Sequence, residues 1–467
     1  MVWLFRGVSM AHETAIEDLV SILGQRLSCS KSDLESHGRS ETHFPLSPPD
    51  AVAYPESTED VARIVTACAA HRTPIIGWGA GTSLEGQAQA IHGGVSVDFS
   101  RMNKVLEINQ DDLTVRVQPG VTREALNQEL RATGLMFPVD PGANASLGGM
   151  ASTRASGTTA VRYGTMRENV LGLEVVTAEG EVIRTGTGAR KSSAGYDLTS
   201  LFVGSEGTLG LITELTLRLH GIPEATAAAV CGFDSVDDAV ACTIDTIQMG
   251  VPMARIELVD VESVKAVNAY AGSDLPERPH LLVEFHGSET GVEEQAALFG
   301  EIAGQRGASD FQWATQAEDR TALWTMRHHA YWAILAARPG GKAVVTDVCV
   351  PISKLAEAIE TCRADLEAAG IDGPILGHVG DGNFHAILMF DPDDPDEKAR
   401  VLAASERLVD LALSLGGTVT GEHGIGLGKL GYMTREHGAG WQMMGAIKTA
   451  FDPLNIMNPG KLVPPRN

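Results

Sequence analysis

The sequence predicts an α+β protein in which a glycine-rich first half is followed by a regular series of helices and antiparallel strands. A chain of 467 residues is too long to fold around a single hydrophobic core, which indicates two or three domains. The pattern changes near Pro223, and the end of the chain is helical. We expect an N-terminal helical segment at residues 1–44, a first domain at 45–222, a second domain at 223–410, and a C-terminal segment at 411–467 that completes the active site.

The composition supports well-packed domains and argues against polyanionic partners. Hydrophobic residues make up 43% of the chain and charged residues 21%, which is enough apolar material for buried sheets and helices. With 60 acidic and 36 basic residues the net charge is -24, so nucleic acid and anionic membrane surfaces are not expected as partners. A local basic pocket could still bind a small acid.

Cysteine usage and hydropathy indicate a reducing, cytoplasmic location. No apolar run approaches the length needed to cross a bilayer, so no transmembrane segment is expected, although peripheral membrane association stays open. The nine residues before Met10 lack a signal-peptide core and could be a start-site extension. The six cysteines show no C-x-x-C spacing and lie in apolar runs typical of reduced core residues: Cys29, Cys68, Cys231, Cys242, Cys349 and Cys362.

The first domain begins with a predicted parallel β-α-β unit. Residues 51–54 and 74–78 read as strands, and Ser57 caps the helix between them. Glycine then recurs at every second position in residues 77–83, which lets backbone N–H groups approach an anion closely. No amphipathic helix follows, as the dinucleotide fingerprint G-x-G-x-x-G would require, so a nicotinamide-binding domain is not supported.

Further glycine clusters favour a large bound cofactor. The segment 113–118 reads as a strand before a helix at Thr122, and residues 171–184 read as a hairpin. Between them, residues 141–164 form a run of small and polar residues too long for an idle connector, and residues 202–212 add another glycine-rich turn. One such cluster is usually only a turn. Several together suit a flat cofactor and its pyrophosphate.

The second domain reads as alternating helices and strands around an antiparallel sheet. Helices are predicted at residues 236–249, 293–306, 352–369, 399–415 and 440–451, and strands at 254–258, 280–286, 343–350, 375–378 and 386–390.

Two histidines in the second domain have the spacing of metal ligands. If residues 380–383 form a tight turn, His378 pairs directly with His385, and both imidazoles lie on one face about 5 Å apart. Glu422 could add a carboxylate, leaving a coordination position open for substrate, with His423 beside it as a base. The alternative is a hairpin with two half-exposed histidines. Glycines on both sides of each cluster favour the metal site.

Together these motifs resemble the flavin-dependent D-2-hydroxy-acid dehydrogenases of the vanillyl-alcohol oxidase fold superfamily. The branch of D-lactate dehydrogenases that use cytochrome-type acceptors is the most similar. The resemblance implies a two-subdomain FAD-binding domain, an α+β cap domain with an antiparallel sheet, and a C-terminal helical segment. It runs from about residue 45 to the C terminus and is carried by motifs at residues 79–85, 141–149, 204–210, 377–385, 421–426 and 458–461.

The resemblance implies that the glycine loops bind FAD. The family attaches flavin covalently, in some members, through a histidine of the first loop; residues 77–84 contain none, so non-covalent FAD is expected. The implied FAD-binding residues are Gly77, Gly79, Ala80, Gly81, Thr82, Ser83, Leu84, Pro141, Gly142, Ala143, Ser146, Gly148, Gly149, Ser152, Thr153, Gly157, Glu206, Gly207, Gly210, Ile212 and Asn458.

The resemblance also assigns the reacting groups. It implies one divalent ion, Zn²⁺ or Mn²⁺, on His378, His385 and Glu422, and makes His423 the general base. The implied substrate-binding residues are Arg327 and Lys342 for the carboxylate, Asn383 in support, and Tyr331 as a wall that shortens the pocket.

The implied reaction is oxidation of a short D-2-hydroxy acid, above all D-lactate to pyruvate. Because the chain has neither an iron-sulfur motif nor a nicotinamide site, electrons would pass from FAD to a separate cytochrome or quinone acceptor. Alternatives within the class are a D-2-hydroxyglutarate dehydrogenase and the flavin subunit of a glycolate oxidase. A different class, the non-redox alkyl-glycerone-phosphate synthases, shares the flavin fold and also stays open.

Overall fold

The computed structural model describes residues 10–39, 44–189, 191–314 and 316–465. The possible start-site extension before Met10 lies outside them. The helices are α1 Met10–Leu23, α2 Lys31–Gly38, α3 Thr58–Ala70, α4 Arg123–Leu130, α5 Leu147–Thr153, α6 Ala160–Tyr163, α7 Met166–Asn169, α8 Leu198–Phe202, α9 Val236–Gln248, α10 Val261–Ala271, α11 Glu289–Gln305, α12 Ala317–Ala337, α13 Leu355–Ala369, α14 Pro395–Ser414, α15 Met433–His437 and α16 Ala439–Phe451.

The strands are β1 Leu27–Ser28, β2 Ala51–Ala53, β3 Ile75–Trp78, β4 Val95–Asp98, β5 Val105–Asn109, β6 Thr114–Val117, β7 Leu135–Met136, β8 Val170–Val176, β9 Val182–Gly186, β10 Leu211–Arg218, β11 His220–Gly221, β12 Ala225–Gly232, β13 Met253–Val259, β14 His280–Gly287, β15 Ser309–Ala314, β16 Lys342–Val345, β17 Val348–Cys349, β18 Ile375–His378 and β19 Asn383–Phe390. Among the described residues, no helix is both long and apolar enough to cross a membrane.

The chain forms two compact units. The first contains the described residues up to Ala155, then Thr165–Gly221, and finally the segment from Glu422 onward. The second contains Ser156–Gly164 and Ile222–Gly421. The division near residue 222 is close to the one expected from the sequence. Two segments differ: the second unit takes a short stretch from the small polar run, and it extends to Gly421 rather than to residue 410.

The first unit is built on two sheets. In the smaller sheet the order is β1-β2-β4-β3, and β2 and β3 each run parallel to β4. The predicted β-α-β unit is therefore present, but β4 lies between its two strands. Its helix α3 is capped as expected, since the Ser57 side chain accepts a hydrogen bond from the Asp60 backbone N–H at 3.2 Å. The larger sheet, β5-β6-β10-β8-β9, contains the predicted hairpin as β8 and β9.

The small polar run of the first half is more ordered than the sequence indicated. It contains helix α5, whose Leu147, Met150 and Ala151 are buried in the core at helical spacing. Three apolar residues on one face were enough to fix a helix among small polar neighbours. The glycine loop after β3, in contrast, contains no helix before β4, as predicted.

The second unit is built on an antiparallel sheet of order β15-β12-β14-β13-β18-β19-β16. Helix α12, which the sequence patterns did not reveal, packs on one face, where Ala330 and Ile334 meet Ile387 and Met389. Leu388, on the other face, lines a cavity of about 110 Å³ together with residues of α13 and α14. The predicted strand at residues 343–350 is interrupted and forms β16 and β17, while β19 is longer than predicted.

All six cysteines are free thiols in the described chain. Cys29 and Cys349 are only partly buried, whereas the other four lie in the core.

Candidate active site

The histidine pair of the second unit lies on a hairpin whose register differs from the predicted one. His378 pairs with Asn383, and His385 pairs with Leu376. The prediction that the two histidines pair directly with each other was wrong. The turn includes Gly382, whose φ of +79° lies in the left-handed region that favours glycine, and the hairpin closes immediately after it.

The two imidazoles are nevertheless neighbours. Their ring centroids lie 5.5 Å apart and the rings are nearly perpendicular, at 84°. Residues displaced by two positions across an antiparallel pair share a face of the sheet, so the corrected register still brings His378 and His385 together. Both side chains are largely buried.

Hydrogen bonds at Nδ1 fix how each ring is oriented. His378 Nδ1 lies 2.6 Å from Glu257 Oε1, and His385 Nδ1 lies 2.9 Å from the carbonyl oxygen of Thr346. A carbonyl oxygen can only accept, so His385 donates its Nδ1 hydrogen. With Nδ1 protonated, the lone pair of each neutral ring is on Nε2. This is the arrangement by which proteins hold histidines that bind metals through Nε2.

Glu257, a residue that the sequence analysis missed, links the histidine pair to a cation. Its fully buried carboxylate on β13 also accepts a hydrogen bond from Arg327 Nη2 at 2.6 Å. Burial opposes ionisation, but the interactions with His378 and Arg327, which both donate hydrogen bonds to the carboxylate, outweigh it, so the pKa of the Glu257 carboxyl lies below its usual value. A charged residue in the buried run of β13 was the only signal for it in the sequence.

Arg327 lies on α12, and one nitrogen of its guanidinium is unsatisfied. Its side chain is only 10% exposed, and its Nε has no hydrogen-bond partner among the described residues. A buried N–H group without a partner is costly unless a ligand satisfies it. Tyr331 follows one helical turn later. It is partly buried and packs against the apolar cluster between α12 and the sheet. Arg327 and Tyr331 thus lie one turn apart on α12, and their common role at a substrate pocket stays a prediction.

Lys342 lies away from His385, contrary to expectation. It is exposed and pairs with Phe390, five residues beyond His385 on β19, about 17 Å along the strand. Side chains alternate along a strand and cross-strand partners share a face, so Lys342 lies on the opposite face of the sheet from His385. The spacing of fifteen residues from Arg327 did not reveal the change of face.

Asn383 donates hydrogen bonds within the protein, and its expected supporting role in substrate binding stays a prediction. Its amide nitrogen donates to Asp347 Oδ1 and to the Val348 carbonyl, both at 2.8 Å, which uses both amide hydrogens. Asp347, fully buried and also missed by the sequence analysis, accepts from Thr420 Oγ1 at 2.5 Å and from the Gly421 backbone N–H at 3.1 Å. These bonds fix the end of the second unit at Gly421.

Glu422 and His423 begin the final segment of the first unit. Gln87 Nε2 donates to the His423 carbonyl oxygen at 2.7 Å. The buried Glu206 carboxylate accepts from the backbone N–H groups of Ile425 and Gly426, at 2.7 and 2.9 Å. Burial raises the pKa of Glu206, although these hydrogen bonds favour its charged form. The segment is therefore fixed to Gln87, three residues after the first glycine loop, and to Glu206, one of the predicted cofactor residues.

The first glycine loop lies directly against the second. A Cβ added to Gly79 would lie 2.3 Å from Ser146 Oγ, so no other residue fits there without a shift. Ser146 Oγ is buried and has no hydrogen-bond partner among the described residues. Two glycine loops packed this closely, with the unsatisfied Ser146 hydroxyl between them, fit the phosphate groups of a dinucleotide cofactor.

Several other predicted cofactor residues use their polar groups within the protein. Asn458 Nδ2 donates to the carbonyls of Gln87 and Glu206, at 2.9 and 2.7 Å. The hydroxyls of Ser152 and Thr153 donate to carbonyls one turn earlier in α5. Gly210 lacks a side chain because β8 packs against it. These residues shape the loops.

The remaining predicted cofactor residues fall into three groups. Gly157 belongs to the second unit, and Ile212 is buried in β10. Exposed or partly exposed positions in the loops are Gly77, Ala80, Gly81, Thr82, Ser83, Leu84, Pro141, Gly142, Ala143, Gly149 and Gly207. Gly148 is buried against Pro119.

Glycine loops fitted to a dinucleotide in one unit, and a buried histidine pair with a neighbouring arginine in the other, define a flavin-dependent oxidoreductase. Residues 49–186 match the family model for an FAD binding domain, and residues 222–462 match that for the C-terminal domain of FAD linked oxidases. The chain belongs to the family of FAD-linked oxidases. The predicted resemblance and fold class are thereby confirmed.

Curated relatives and solved structures agree with this family. The chain is 50% identical over 464 residues to a "Probable D-lactate dehydrogenase, mitochondrial" from Danio rerio, covering 98% of this chain and 93% of the relative. It is 44% identical to "D-lactate dehydrogenase [cytochrome], mitochondrial" from Arabidopsis thaliana, covering 96% and 80%. The fold matches 4-ethylphenol oxidase from Gulosibacter chungangensis with a TM-score of 0.79, at 20% identity and with 98% and 99% coverage.

The names of the two relatives include a mitochondrial location. The cytoplasmic location expected from composition is not confirmed and stays a prediction.

Proposed function

We propose that the protein oxidises D-lactate to pyruvate, with FAD as the hydride acceptor and a separate cytochrome or quinone system taking the electrons onward. The observation that carries the proposal is the buried pair His378 and His385, whose Nδ1 atoms face hydrogen-bond acceptors while Arg327 lies beside them through Glu257. Such a pair suits a metal that binds a hydroxy acid, and the relatives named above act, by their names, on D-lactate.

The proposed metal site uses Nε2 of both histidines and the Glu422 carboxylate. Glu422 directly follows Gly421, whose N–H donates to Asp347 and which is the last residue of the unit that holds the histidines. Two imidazoles and one carboxylate, with a position left open, are typical of catalytic Zn²⁺ or Mn²⁺ sites. When bound, such an ion would lower the pKa of the substrate hydroxyl.

The protein side chains would then orient the substrate and move its proton. The unsatisfied Nε–H of Arg327 would donate a charge-assisted hydrogen bond to the substrate carboxylate, which aims the Cα hydrogen in one direction. His423 would remove the hydroxyl proton as the general base. Its carbonyl is bonded to Gln87, so its backbone is fixed at the end of the proposed cofactor loop.

Tyr331 supports a short substrate. It lies one turn after Arg327 on α12 and is partly buried, so its aromatic ring would limit the space beside Arg327. A substrate with a second carboxylate, such as D-2-hydroxyglutarate, would need that space. Asn383 and Lys342 have no part in this proposal, because the first uses its amide hydrogens in the protein and the second lies on the other face of the sheet.

The test is rapid mixing of the purified yellow protein with D-lactate in the absence of an acceptor. We expect the flavin to bleach and one pyruvate to form for each flavin reduced. A non-redox transferase would give neither, and a glycolate oxidase subunit would bleach faster with glycolate. His378→Ala should keep FAD but fail to bleach, because the metal site is lost and the cofactor loops are not. His71→Gln, at an exposed ion pair with Asp18, is the control and should behave as wild type.

A further inference from the structure

A histidine outside both family-matched segments touches the proposed cofactor loop. His37 on α2 is only 6% exposed, and its ring centroid lies 4.6 Å from that of Trp78. Trp78 ends β3 and stands within the first glycine loop. Helix α2 is fixed in place, because Gly38 packs against the Pro48 backbone and accepts a hydrogen bond from the Ser47 N–H at 3.0 Å. The contact between His37 and Trp78 is therefore part of the folded core.

The hydrogen bonds of His37 indicate an imidazolium. Nε2 lies 2.9 Å from Asp98 Oδ2 on β4, and Nδ1 lies 2.8 Å from the Asp33 carbonyl on the same helix. Both partners are acceptors, and only a doubly protonated ring can donate to both. Burial alone lowers the pKa of His37, but the hydrogen bonds to Asp98 and Asp33 outweigh it and raise the pKa above its usual value.

The other groups that face His37 do not add a competing cation. Tyr54 meets the imidazole edge-on at 6.1 Å, and burial raises its pKa to about 12, so its phenol is neutral. The Arg101 guanidinium stacks over the ring of Tyr54 rather than over His37. The His37 and Trp78 rings are tilted by 46°, and indole is the aromatic ring that attracts a cation within about 6 Å most strongly.

Trp78 also packs against the glycine loop itself. A Cβ added to Gly81 would lie 2.6 Å from Trp78 Cζ2, and Gly81 has a φ of +73°. The glycine loop thus folds directly onto the indole, and Gly79, between the two, contacts Ser146. A change in the position of Trp78 would move the part of the loop that meets the second glycine loop.

We propose that His37 is a positioning residue for FAD: as an imidazolium it fixes the Trp78 indole, and through Trp78 it fixes the shape of the first glycine loop. The N-terminal helix α2 would then contribute to cofactor affinity although it lies outside the matched FAD-binding segment. This inference rests on the proposed assignment of residues 77–84 as a cofactor loop.

The experiment is a titration of FAD-free protein with FAD, followed by flavin fluorescence, between pH 5.5 and 9. In the wild type, affinity should be greatest where His37 is charged and should fall as the pH rises through its pKa, by roughly tenfold for the loss of one buried cation–π contact. His37→Gln should bind with the weaker affinity at every pH. Asp98→Asn removes the counter-charge and should move the transition to lower pH. His71→Gln, a histidine paired with Asp18 at the surface, should follow the wild type.

Tryptophan emission gives a second readout without cofactor. An imidazolium quenches a neighbouring indole, so emission of the FAD-free wild type should rise over the same pH range, and Trp78→Phe should abolish that rise. A wild type whose emission and FAD affinity are both independent of pH would overturn the inference even if His37→Gln did not fold.

A further variant, Gly79→Val, tests the loop assignment separately from the role of His37. Its side chain would collide with Ser146 Oγ. If this variant binds FAD as tightly as wild type, the loop assignment is wrong. If it loses FAD while His37→Gln keeps wild-type affinity and pH dependence, the loop assignment stands and the role of His37 is wrong.

Discussion

Glu257 and His378 form a buried hydrogen-bonded pair, 2.6 Å between the carboxylate Oε1 and Nδ1, that connects the candidate metal ligands to the candidate substrate-binding arginine. The other carboxylate oxygen is bonded to Arg327. A residue on β13 thus sets the orientation of groups that come from β18 and α12. In this way one buried charge positions both the metal ligand and the group that would orient the substrate.

Replacing Glu257 by Gln should therefore affect metal binding before anything else. Glutamine has the same shape, but it cannot stabilise the protonated Nδ1 as a carboxylate does, so metal affinity should fall by roughly 10- to 100-fold while FAD stays bound. The measurement is titration of metal-free protein with Zn²⁺ or Mn²⁺. Glu262→Gln, at a surface pair with Lys265, is the control. Wild-type metal affinity in Glu257→Gln would show that the hydrogen bond does not tune the site.

Arg327 and Lys342 should differ sharply, although the sequence suggested that they work together. Arg327→Lys replaces spaced donors on a planar guanidinium by donors on a single nitrogen, which cannot reach Glu257 and the substrate in the same geometry, so kcat/KM for D-lactate should fall by roughly 10- to 100-fold. Lys342→Met, on the opposite face of the sheet, should change kcat/KM by less than about twofold. Steady-state kinetics of both variants decide this. A large loss in Lys342→Met would return that lysine to the substrate site.

The sequence predicted what is encoded locally. The glycine loops, the cap at Ser57, and the presence of His378 and His385 on one hairpin all depend on a few neighbouring residues. The hairpin register was missed because it depends on which glycine of the turn takes a left-handed conformation, and two glycines were available.

Contacts between distant strands were not predictable in this way. Glu257 and Asp347 contact site residues only after the sheet has formed. A single charged residue in a predicted strand does not show which residue it will bond. Lys342 was misplaced for the same reason. The connection between α12 and β16 decides which face of the sheet its side chain lies on, and the sequence does not show that it is the face opposite His385.

Tyr331 should control substrate length. Tyr331→Thr would open space one helical turn from Arg327, so the ratio of kcat/KM for D-2-hydroxyglutarate to that for D-lactate should rise, by no more than roughly 10- to 200-fold for a pocket change of this kind. Both substrates are assayed with the same artificial acceptor. Tyr270→Thr, at an exposed position on α10, should leave the ratio unchanged. An unaltered ratio in Tyr331→Thr would place Tyr331 outside the pocket.

Lys461 should make stability depend on pH in the alkaline range. Burial lowers the pKa of its ammonium to about 7, and its Nζ donates to the Gln89 carbonyl and to Asn458 Oδ1. A neutral amine still has two hydrogens for these bonds. Between that pKa and the usual value near 10.5, the unfolded chain binds the extra proton, so the free energy of unfolding should rise with pH, by up to about 1.4 kcal/mol per pH unit.

Urea unfolding at several pH values from 7.5 to 9.5 measures this slope. Lys461→Met leaves two acceptors unsatisfied at every pH and so lowers stability overall, but it should remove the part of the slope due to Lys461. Equal slopes in the two proteins would mean that Lys461 keeps an ordinary pKa in the folded state.

Glu422 and His423 are adjacent in sequence, yet their substitutions should separate metal binding from proton transfer. If Glu422 is a ligand, Glu422→Gln weakens metal binding, and activity recovers in part when more metal is added. His423→Asn removes no ligand, so metal and FAD should stay at full occupancy while flavin reduction by D-lactate slows by roughly 10²- to 10⁴-fold, the usual contribution of a general base. Metal content, flavin content and the rate of reduction are measured on the same preparation. The decisive comparison is high added metal, which should restore Glu422→Gln but not His423→Asn. Loss of metal from His423→Asn, or reduction at the wild-type rate, would rule out His423 as the base and leave proton removal to another group of the same segment.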